Sequence, residues 1–452
     1  MEKLITIILP NLNNAKYIEK CMRSVMNQTH SNLEILVIDA GSTDGSLEIM
    51  NKLADEDSRI IILHSDRKSY GYQVNLGVEK AKGEYIGVIE TDDYVEPDMY
   101  ERLICELEKN DADYVKCQSE SFCELVDGSL MTNEIKVFNE EDERINTLIN
   151  PSKIPELQFR DRFIWLGLYS KELMRQIKLN ETAGAAYQDI GFAFLLHRKA
   201  QRAVYISDKL HHYRIDNLNA STYNHNAFGF LLDEYAYCMD KEKNLSAEWI
   251  HYVCFKLLDQ TVSRFWMMAK SGAFWRDKFD DICDIAGILK ENVFNGNIDK
   301  EILPPEYRIY LELLFESPYA LYGKLAYDIG VIRNSIKDFF EKIESDGVIL
   351  FGLGKKSSYV HTIIKIYADV FHKKIVAYTD NNNKFWETFV RDLPVVSPDN
   401  AVMSYPDNTF VITSRKYGDE ISKQLIKSGI SKNRIVIFDI PEDINYFSVN
   451  II

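Results

Sequence analysis

Four short apolar runs alternate with helical stretches over residues 4–90, and this alternation limits the possible folds more than any other feature. The runs are LITIILP, LEILVID, RIIILHS and EYIGVIE, whose length and β-branched content are typical of strands buried on both faces. The stretches between them, near 14–28, 45–56 and 72–82, have helical patterns, and Gly83 is predicted to cap the last helix. The alternation predicts a mainly parallel α/β sheet that binds ligands at the carboxyl ends of its strands.

Beyond this region the chain divides further by pattern. Residues 226–345 carry apolar and aromatic side chains at helical spacing, which is typical of helices packed against one another. Residues 346–452 return to strands, a glycine turn and helices, which predicts a second, smaller doubly wound α/β domain. The segments IWLGLYSKELM and YQDIGFAFLLHRKA, which precede the helical part, are predicted helices. We therefore expect three parts, 1–225, 226–345 and 346–452.

The charge balance and the cysteines narrow the class of protein. Lys and Arg number 53 and Asp and Glu 69, and the formal net charge of −16 argues against unspecific binding of nucleic acid. The seven cysteines are scattered without a C-x-x-C pair, so we expect reduced thiols in the cytoplasm. The N-terminal MEKLITIILPNLNN is a predicted strand rather than a signal peptide. No run reaches the roughly 18 apolar residues of a membrane span, so membrane contact would be peripheral, at the inner face.

Three acidic side chains follow the fourth predicted strand, in Glu90-Thr91-Asp92-Asp93. Carboxylates this close repel one another and lose hydration unless a cation joins them. Their hard oxygen atoms suit Mg²⁺ or Mn²⁺, which keep coordination positions open for phosphate oxygens. The alternative is a solvated acidic turn that complements the dipole of a helix beginning near Pro97.

The other predicted strands also end in polar residues. Asp39 ends the second strand, where a carboxylate can accept the N3–H of a uracil or thymine ring; the alternative is a capped turn before the next helix. Two amides lie at the end of the first strand, in Pro10-Asn11-Leu12-Asn13. Positive charge follows the third strand, near the expected place of a diphosphate, at His64, Arg67 and Lys68. Four strand ends that meet at one edge predict a nucleotide-sized site.

Two long segments resemble a known family. They are ITIILPNLNNAKYIEKCMRSVMNQTHSNLEILVIDAGSTDGS and GYQVNLGVEKAKGEYIGVIETDDYVEPDMYERL, and they resemble the inverting glycosyltransferases of family 2, which have the GT-A fold. The resemblance is looser from there to residue 225, and it implies an α/β GT-A domain with a helical segment and a Rossmann-like domain appended. The variant GYQVNLGVEKAKGEYIGVIETDDYV is similar to a subgroup found in bacterial surface-glycan gene clusters.

The family's motifs imply a role for each matching position. Asp39 would bind the nucleotide base, and Asp92 and Asp93 would take the Asp-x-Asp function of binding Mn²⁺ or Mg²⁺. The usual Asp-x-Asp-Asp is Glu90-Thr91-Asp92-Asp93 here, so which aspartate binds the ion stays open. The implied nucleotide-sugar site is Pro10, Asn13, Asp39, Lys68, Asn75, Glu90, Asp92 and Arg214, and the implied metal site is Asp92, Asp93 and His212.

The catalytic base is implied by AAYQDIGFAFLLHRKA, which matches the place where the family has Glu-Asp before an aromatic-rich helix. Asp189 is therefore the candidate general base, and the alternative is an Asp that caps its helix. LHHYRIDNLNAS resembles the segment that closes over the diphosphate, where Arg214 would neutralise the leaving group. His212 would contact the metal or a phosphate there, unless it is a packed side chain. The sequence departs from the family's pattern at Leu12, at Gln73-Val74-Asn75, which lacks the usual Arg, and at Gln188, which replaces the usual Glu.

The resemblance implies a metal-dependent, inverting glycosyltransferase that moves a sugar from a UDP-sugar to a hydroxyl of a glycan, lipid-linked or protein acceptor. One alternative is a non-catalytic sugar-nucleotide sensor or scaffold. Another is a sugar nucleotidyltransferase, although ILPNLNNAKYI lacks the glycine-rich loop of that class. Self-association through the helical part or the C-terminal domain is compatible with the sequence.

A glycine loop lies near the start of the C-terminal domain. Gly352-Leu353-Gly354-Lys355-Lys356-Ser357 follows a predicted strand and precedes a predicted helix, as a dinucleotide site requires. The third small residue is Ser357, and Asp380 lies 28 residues after Gly352, which is later than the usual acidic residue. A close-packed turn is therefore favoured over a bound nucleotide.

Overall fold

The structure is a computed structural model, and it describes residues 2–124, 130–217, 226–271, 276–354, 370–390, 393–414 and 416–438, together with residues 360, 361, 364, 367 and 368. The chain divides into two compact units, Met1–Arg264 with Trp275–Pro318 and Phe265–Phe274 with Tyr319–Ile452. Residues 226–345, expected as one helical part, are therefore shared between the two units.

The first unit contains a mixed sheet of ten strands. In chain order the strands are β1 (Ile5–Asn11), β2 (Leu33–Asp39), β3 (Ile60–His64), β4 (Tyr85–Val88), β5 (Tyr94–Val95), β6 (Tyr114–Glu124), β7 (Leu130–Ile135), β8 (Leu148–Ile149), β9 (Gly167–Ser170) and β10 (Ala203–Arg214). They lie in the order β3-β2-β1-β4-β9-β6-β10-β5, with β7 paired to β6 and β8 paired to β10. The first four strands pair in parallel, whereas β9 is antiparallel to both β4 and β6. This arrangement confirms the α/β fold class predicted from the alternating pattern.

Helices connect these strands and continue beyond them. In chain order they are α1 (Ile18–Met26), α2 (Ser46–Glu56), α3 (Tyr70–Lys80), α4 (Met99–Asn110), α5 (Leu157–Arg160), α6 (Lys171–Gln176), α7 (Gln188–Lys199), α8 (Ala227–Lys241), α9 (Ala247–Ser271), α10 (Phe279–Phe294), α11 (Pro305–Glu316) and α12 (Pro318–Glu341). The three helices predicted between the first four strands are present as α1, α2 and α3, and YQDIGFAFLLHRKA forms α7. None of the described helices is long and apolar enough to cross a membrane.

The strands β1 and β2 lie in the centre of the hydrophobic core. Every residue of both strands is buried, and Ile7 and Ile8, which are neighbours along β1, have no exposed surface. Adjacent residues of a strand point to opposite faces, so burial of both means that the sheet is covered on both sides. This explains why the strands are continuous apolar runs rather than alternating ones.

Two local predictions are wrong. Gly83 does not cap α3, which ends at Lys80; a Cβ at position 83 would lie 2.6 Å from the backbone nitrogen of Thr6, so the glycine allows close packing against β1. The segment IWLGLYSKELM is not one helix, because its central residues form β9. Leu168 and Tyr169 are fully buried in β9, which lies between β4 and β6, so their side chains pack on opposite faces of the sheet.

The second unit contains a six-stranded sheet. Its elements are β11 (Gly347–Phe351), β12 (Lys374–Thr379), β13 (Thr388–Val390), β14 (Leu393–Val396), α13 (Pro398–Ser404), β15 (Thr409–Ile412), α14 (Gly418–Lys427) and β16 (Ile435–Ile437). The strand order is β13-β14-β12-β11-β15-β16, and every pairing is parallel except β13 with β14. Helices between parallel strands match the smaller doubly wound α/β domain expected from the sequence.

The glycine loop of this unit is held by its own acidic residue. Gly352 has a φ of 117°, and the next amide, of Leu353, donates a hydrogen bond of 2.6 Å to Oδ2 of Asp380. The other carboxylate oxygen of Asp380 accepts from the amide of Asn382 at 2.7 Å. Both carboxylate oxygens of Asp380, which would bind the ribose in a dinucleotide site, therefore accept hydrogen bonds from the backbone. This favours the close-packed turn. Residues 355–359, which include Lys355, Lys356 and Ser357, lie outside the described residues.

Candidate active site

Side chains join the carboxyl ends of β1, β2 and β4. Parallel pairing sets Asn11 beside Asp39, and Asn11 Nδ2 donates a hydrogen bond of 3.0 Å to Asp39 Oδ1. Thr91, just beyond β4, donates to the carbonyl oxygen of Pro10 at 3.3 Å and to Asn11 Oδ1 at 3.1 Å. Gln73 Nε2, from α3, donates to the carbonyl oxygen of Asn11 at 2.9 Å. These contacts bring three of the strand ends that the sequence singled out to one edge of the sheet.

The carboxylate of Asp39 accepts four hydrogen bonds. Its Oδ1 accepts from Asn11 Nδ2 and from the Ser42 hydroxyl, at 3.0 and 2.5 Å, and its Oδ2 accepts from the amides of Gly41 and Ser42, both at 3.0 Å. Burial raises the pKa of Asp39, but the hydrogen bonds outweigh burial and the net pKa lies below its usual value. A nucleotide N–H would have to replace one donor, and the Ser42 hydroxyl can rotate away.

Two predicted donor-binding residues lie beside Asp39. Asn13 is exposed with a left-handed φ of 55°; its amide donates to the Ser42 hydroxyl at 2.9 Å, and its Oδ1 accepts from the amide of Thr43 at 2.9 Å. These bonds hold a conformation that is uncommon for a residue with a side chain. Pro10 is buried within β1, where its carbonyl oxygen accepts from Thr91.

Lys68 and Asn75, also predicted to bind the donor, differ in their surroundings. The Lys68 side chain is exposed, while its carbonyl oxygen accepts from the amide of Gly184 at 2.7 Å. The Asn75 amide group is fully occupied by one loop: Nδ2 donates to the carbonyl oxygen of Leu179 at 3.0 Å and to Glu181 Oε1 at 2.9 Å, and Oδ1 accepts from the amide of Leu179. Asn75 therefore holds the loop that leads to α7.

The acidic turn after β4 brings three carboxylates together. One oxygen atom each from Glu90, Asp92 and Asp93 lies within 4.8 Å of the other two. Burial raises the pKa of all three groups, and that of Glu90 reaches about 8 with the added repulsion of Asp92 and Asp189. Asn217 Nδ2 donates to Asp92 Oδ2 at 2.7 Å, and the amide of Arg214 donates to Asp93 Oδ1 at 2.7 Å.

This carboxylate cluster fits a hard divalent cation. Oδ2 of Asp93 is buried and accepts no hydrogen bond from any described residue, so a buried acceptor is available to an ion. All three residues offer oxygen, which Mg²⁺ and Mn²⁺ prefer over nitrogen or sulfur. Glu90, Asp92 and Asp93 are thus the residues that could hold a metal here.

The two adjacent histidines of β10 face different partners. His212, the predicted ligand, lies outside the carboxylate cluster: its Nε2 is 2.6 Å from Glu96 Oε1, and its ring stacks on Tyr94 at 4.3 Å between centroids. His211 Nε2 instead lies 3.4 Å from Asp93 Oδ2, and both side chains are fully buried. Burial lowers the pKa of His211 well below its usual value, so its imidazole is neutral at pH 7.

Arg214 lies beside the cluster and is 7% exposed. Its Nε donates to the carbonyl oxygen of Asp92 at 3.1 Å, and Nη1 donates to Asp216 Oδ1 at 3.0 Å. The guanidinium also lies over the rings of Tyr17 and Phe122, at 4.3 and 4.6 Å from their centroids. Aromatic walls of this kind fix a guanidinium while leaving its charge in place.

Asp189 lies in the first turn of α7, and its side chain is 31% exposed. Burial raises its pKa, while the charges of Arg162 and Lys256 act in the opposite direction. Arg162 Nε is 3.8 Å from Asp189 Oδ2, an ion pair without a hydrogen bond. Tyr187, two residues earlier, has a left-handed φ of 70°, a strained conformation of the kind found at functional sites.

Gln188 anchors the start of α7. Its Oε1 accepts from the amide of Gly71 at 2.9 Å, and its Nε2 donates to the carbonyl oxygen of Asn180 at 2.6 Å. A Cβ at Gly71 would collide with that carbonyl group, so only glycine allows this approach. Glu234 of α8 completes the support, because its oxygens accept from Asn180 Nδ2 at 2.7 Å and from the amide of Gly191 at 3.2 Å. Asp189 is therefore held by contacts on both of its sides.

Sequence reasoning missed Arg162, which pairs with Asp189, and Lys256, whose charge lowers the pKa of Asp189. Arg162 lies between α5 and β9, and Lys256 comes from α9, in the segment that was interpreted as packed helix. Burial lowers the pKa of Lys256 to about 8, although the charge of Asp259 opposes this effect. One signal was available: Lys256, Asp259 and Gln260 are polar residues within a largely apolar stretch of the helix, at positions that share one face.

Comparison with known proteins places this geometry in a family. The family model described as "Glycosyl transferase family 2" matches residues 6–171, and a second, described as "C2185-like, N-terminal", matches residues 344–436. Glycosyltransferase GlyG of Streptococcus pneumoniae is 30% identical over 218 residues, which cover 47% of this chain and 71% of that protein. The uncharacterized glycosyltransferase EpsJ of Bacillus subtilis is 31% identical over 227 residues, or 49% of this chain and 64% of that protein.

A solved structure shares the fold. Staphylococcus aureus TarS 1–349 in complex with UDP-GlcNAc matches with a TM-score of 0.53 and 14% identity, covering 72% of this chain and 90% of that chain. The mixed sheet, the shared fold and the glycosyltransferase relatives identify the chain as a GT-A glycosyltransferase. The chain belongs to glycosyl transferase family 2.

Proposed function

We propose that the protein transfers a sugar from a UDP-sugar, with inversion, to a hydroxyl of a glycan, lipid-linked or protein acceptor. Asp39 binds the uracil ring, and Asp92 and Asp93, with Glu90, hold a Mn²⁺ or Mg²⁺ ion against the donor diphosphate. Asp189 is the general base. Family membership and the complex of TarS with UDP-GlcNAc support the choice of donor, and the family alone supports the acceptor class.

One observation carries the assignment of the base. The positive charge of Arg162 lowers the pKa of Glu90, in the carboxylate cluster, and also that of Asp189. Coulombic influence weakens with distance, and the charge of Asp189 also raises the pKa of Glu90, which supports one site shared by the cluster and Asp189. A sugar that bridges a metal-bound diphosphate and a base needs this proximity.

The proposed transfer is a single displacement at the anomeric carbon of the donor sugar. Asp189 accepts the proton of the acceptor hydroxyl as its oxygen bonds to the anomeric carbon. The bond from that carbon to the diphosphate oxygen breaks at the same time, and UDP leaves with the electron pair. A bound Mn²⁺ or Mg²⁺ ion would stabilise the negative charge that develops on the diphosphate. Arg214, which donates to the carbonyl oxygen of Asp92, would add a fixed positive charge beside the leaving group.

Release of UDP from a panel of UDP-sugars, with Mn²⁺ or Mg²⁺, tests the proposal on the full chain. We expect release with at least one donor, and we expect Asp189→Asn to lower turnover by about 10²- to 10⁴-fold. UDP affinity, measured by calorimetry, should change little in that variant because the base does not contact the nucleotide. Asp55→Asn, an exposed position on α2, is the matched control and should keep wild-type turnover.

Three outcomes would contradict the proposal. UDP binding without release from any donor would identify a sugar-nucleotide sensor, and full turnover in Asp189→Asn would remove that residue from the role of base. Consumption of a nucleoside triphosphate with a sugar phosphate would identify a nucleotidyltransferase instead.

The cellular setting belongs to the same proposal. We expect a cytoplasmic enzyme that meets its acceptor at the inner face of the membrane, and self-association through the helical part or the C-terminal domain. Light scattering of the purified chain and its sedimentation with anionic lipid vesicles measure these two properties separately.

A further inference from the structure

A polar stripe on α9 is linked to the candidate base through Arg162, which donates to Gln260 and pairs with Asp189. Lys256, Gln260 and Arg264 recur every four residues along α9, so they lie on one face of the helix. Their exposed fractions are 5%, 7% and 6%, although cationic side chains are rarely buried to this degree unless they are paired. The charge of Lys256 acts on Asp189, and that of Arg264 acts on Tyr187, which precedes the base by two residues.

The ammonium group of Lys256 has no hydrogen-bond acceptor among the described residues. Its nearest carboxylate oxygen is Oδ2 of Asp259 at 3.7 Å, which is longer than a hydrogen bond. Asp259 is already engaged, because Oδ1 accepts from the Tyr307 hydroxyl at 2.6 Å and Oδ2 accepts from Gln260 Nε2 at 2.7 Å. Among the described residues, Lys256 is thus 93% buried with only this long ion pair and the ring of Phe159, at 4.8 Å from its ammonium, as partners, and it is suited to an anion from outside the chain.

Arg162 provides a second cation on the same side of the base. Among the described residues, only Gln260 accepts a hydrogen bond from its guanidinium, from Nη1 at 3.0 Å. Its Nε lies 3.8 Å from Asp189 Oδ2 without a hydrogen bond, and its side chain is 34% exposed. A guanidinium has five N–H donors, so Arg162 keeps donors for a ligand that enters beside Asp189.

We propose that Arg162 and Lys256 bind a negatively charged group of the acceptor, a phosphate or a carboxylate, beside the hydroxyl that Asp189 deprotonates. The inference rests on the proposed function and adds the chemical class of the acceptor. The charge of Lys256 interacts with those of Asp189 and Arg162. We assign the metal cluster and Arg214 to the leaving group instead. Neither the Lys256 ammonium nor the Arg162 guanidinium hydrogen-bonds to the Asp189 carboxylate. We therefore infer that neutralising the charge of Asp189 is not the only role of the two cations.

Three sugars that differ only at C6 test this inference: D-glucose, D-glucuronate and D-glucose 6-phosphate. Their binding to the full chain, saturated with Mg²⁺ and UDP, is measured by calorimetry at pH 7. We expect at least one charged sugar to bind about tenfold tighter than glucose, because this difference in affinity corresponds to the free energy of about one hydrogen bond to a charged group. The better of the two charged sugars then identifies the anion as carboxylate or phosphate.

Lys256 variants assign the preference to this site. Lys256→Gln should reduce the preference for charged sugars to less than about threefold and leave glucose binding unchanged. Lys256→Arg should retain it, because the positive charge is kept. Lys52→Gln, which removes an exposed lysine of α2, is the matched control and should behave as the wild type. Melting temperatures of all variants show whether they fold.

The outcomes separate this inference from the proposed function. Equal binding of the three sugars to the wild type, or the absence of binding by all three, overturns the inference, as does a preference that survives in Lys256→Gln. If UDP is released from a donor but charged sugars do not bind more tightly than glucose, the glycosyltransferase proposal is supported and the anion site is not. A charge preference without UDP release from any donor supports the anion site and contradicts the proposed function.

Discussion

The backbone amide of Arg214 donates a hydrogen bond of 2.7 Å to Oδ1 of Asp93, so the end of β10 holds the acidic turn that follows β4. The side chain of the same arginine donates to the carbonyl oxygen of Asp92 at 3.1 Å. One residue thus fixes two of the three acids and supplies a positive charge next to them. Repulsion would otherwise drive these acids apart, and this anchoring keeps them together for a cation.

Removal of one carboxylate charge from the cluster should remove metal-dependent activity. We expect Asp92→Asn to lower UDP release on the order of 100-fold, because the ion would lose a charged ligand while the fold stays the same. The measurement is UDP release as a function of Mn²⁺ concentration, after the metal has been removed with EDTA. Wild-type activity should return when Mn²⁺ or Mg²⁺ is restored, and the Asp55→Asn control should respond in the same way. Wild-type activity that persists in EDTA would contradict a metal-dependent reaction.

Metal binding should release a proton from Glu90. Its pKa of about 8 means that most Glu90 carboxyls are protonated at pH 7, whereas a metal ligand must be ionised. Metal affinity should therefore rise as the pH increases towards 8. Calorimetric titration with MnCl₂ in two buffers of different ionisation enthalpy counts the protons, and we expect about one from this group. A heat of binding that is the same in both buffers would refute this, and Glu90→Gln should release about one proton fewer than the wild type.

The strands and the acidic turn were predictable because each depends on neighbouring residues. A buried strand is a continuous apolar run, and the residues just beyond it fall at the ligand-binding edge of a parallel sheet. The choice between His211 and His212 was not predictable. Adjacent residues of a strand point to opposite faces of the sheet, and β10 has register shifts before His211. Counting residues along the sequence therefore does not show to which face His211 points.

The departures from the family's pattern also have a structural basis that the sequence did not show. Gln73 and Gln188, which depart from the pattern, and Asn75, which retains it, each use their amide groups to join segments far apart in the chain. Arg162 and Lys256 are 94 residues apart, and only folding brings both to Asp189. Contacts of this kind depend on tertiary packing, which short motifs do not encode.

Loss of Arg162 should shift the pH dependence of catalysis. The charge of Arg162 lowers the pKa of Asp189, so Arg162→Gln should raise that pKa. A general base acts only when ionised, and the acidic limb of kcat/KM should therefore move to higher pH. UDP release measured from pH 5 to 9 gives the profile, and activity should recover at the alkaline end. An unchanged limb would show that Arg162 does not act on the base.

Asp161, which precedes Arg162, forms a fully buried ion pair with Lys116. Lys116 Nζ donates to both Asp161 oxygens at 2.8 Å, and Asp161 Oδ2 also accepts from the Tyr205 hydroxyl at 2.7 Å and lies 3.2 Å from His197 Nε2. The Lys116 and Asp161 side chains are 0% exposed. The lysine charge lowers the pKa of Asp161 even though burial opposes it, so the carboxylate is ionised at neutral pH.

Asp161→Asn should destabilise the first unit by about 3–5 kcal/mol, because it leaves the Lys116 charge buried without a partner. For a unit of this size the melting temperature should fall by about 10 °C, which differential scanning calorimetry measures. Adding Lys116→Met removes the stranded charge, so the double variant should lose less stability than the sum of the two single variants. Strict additivity, or an Asp161→Asn melting temperature equal to that of Asp55→Asn, would show that this pair does not stabilise the fold.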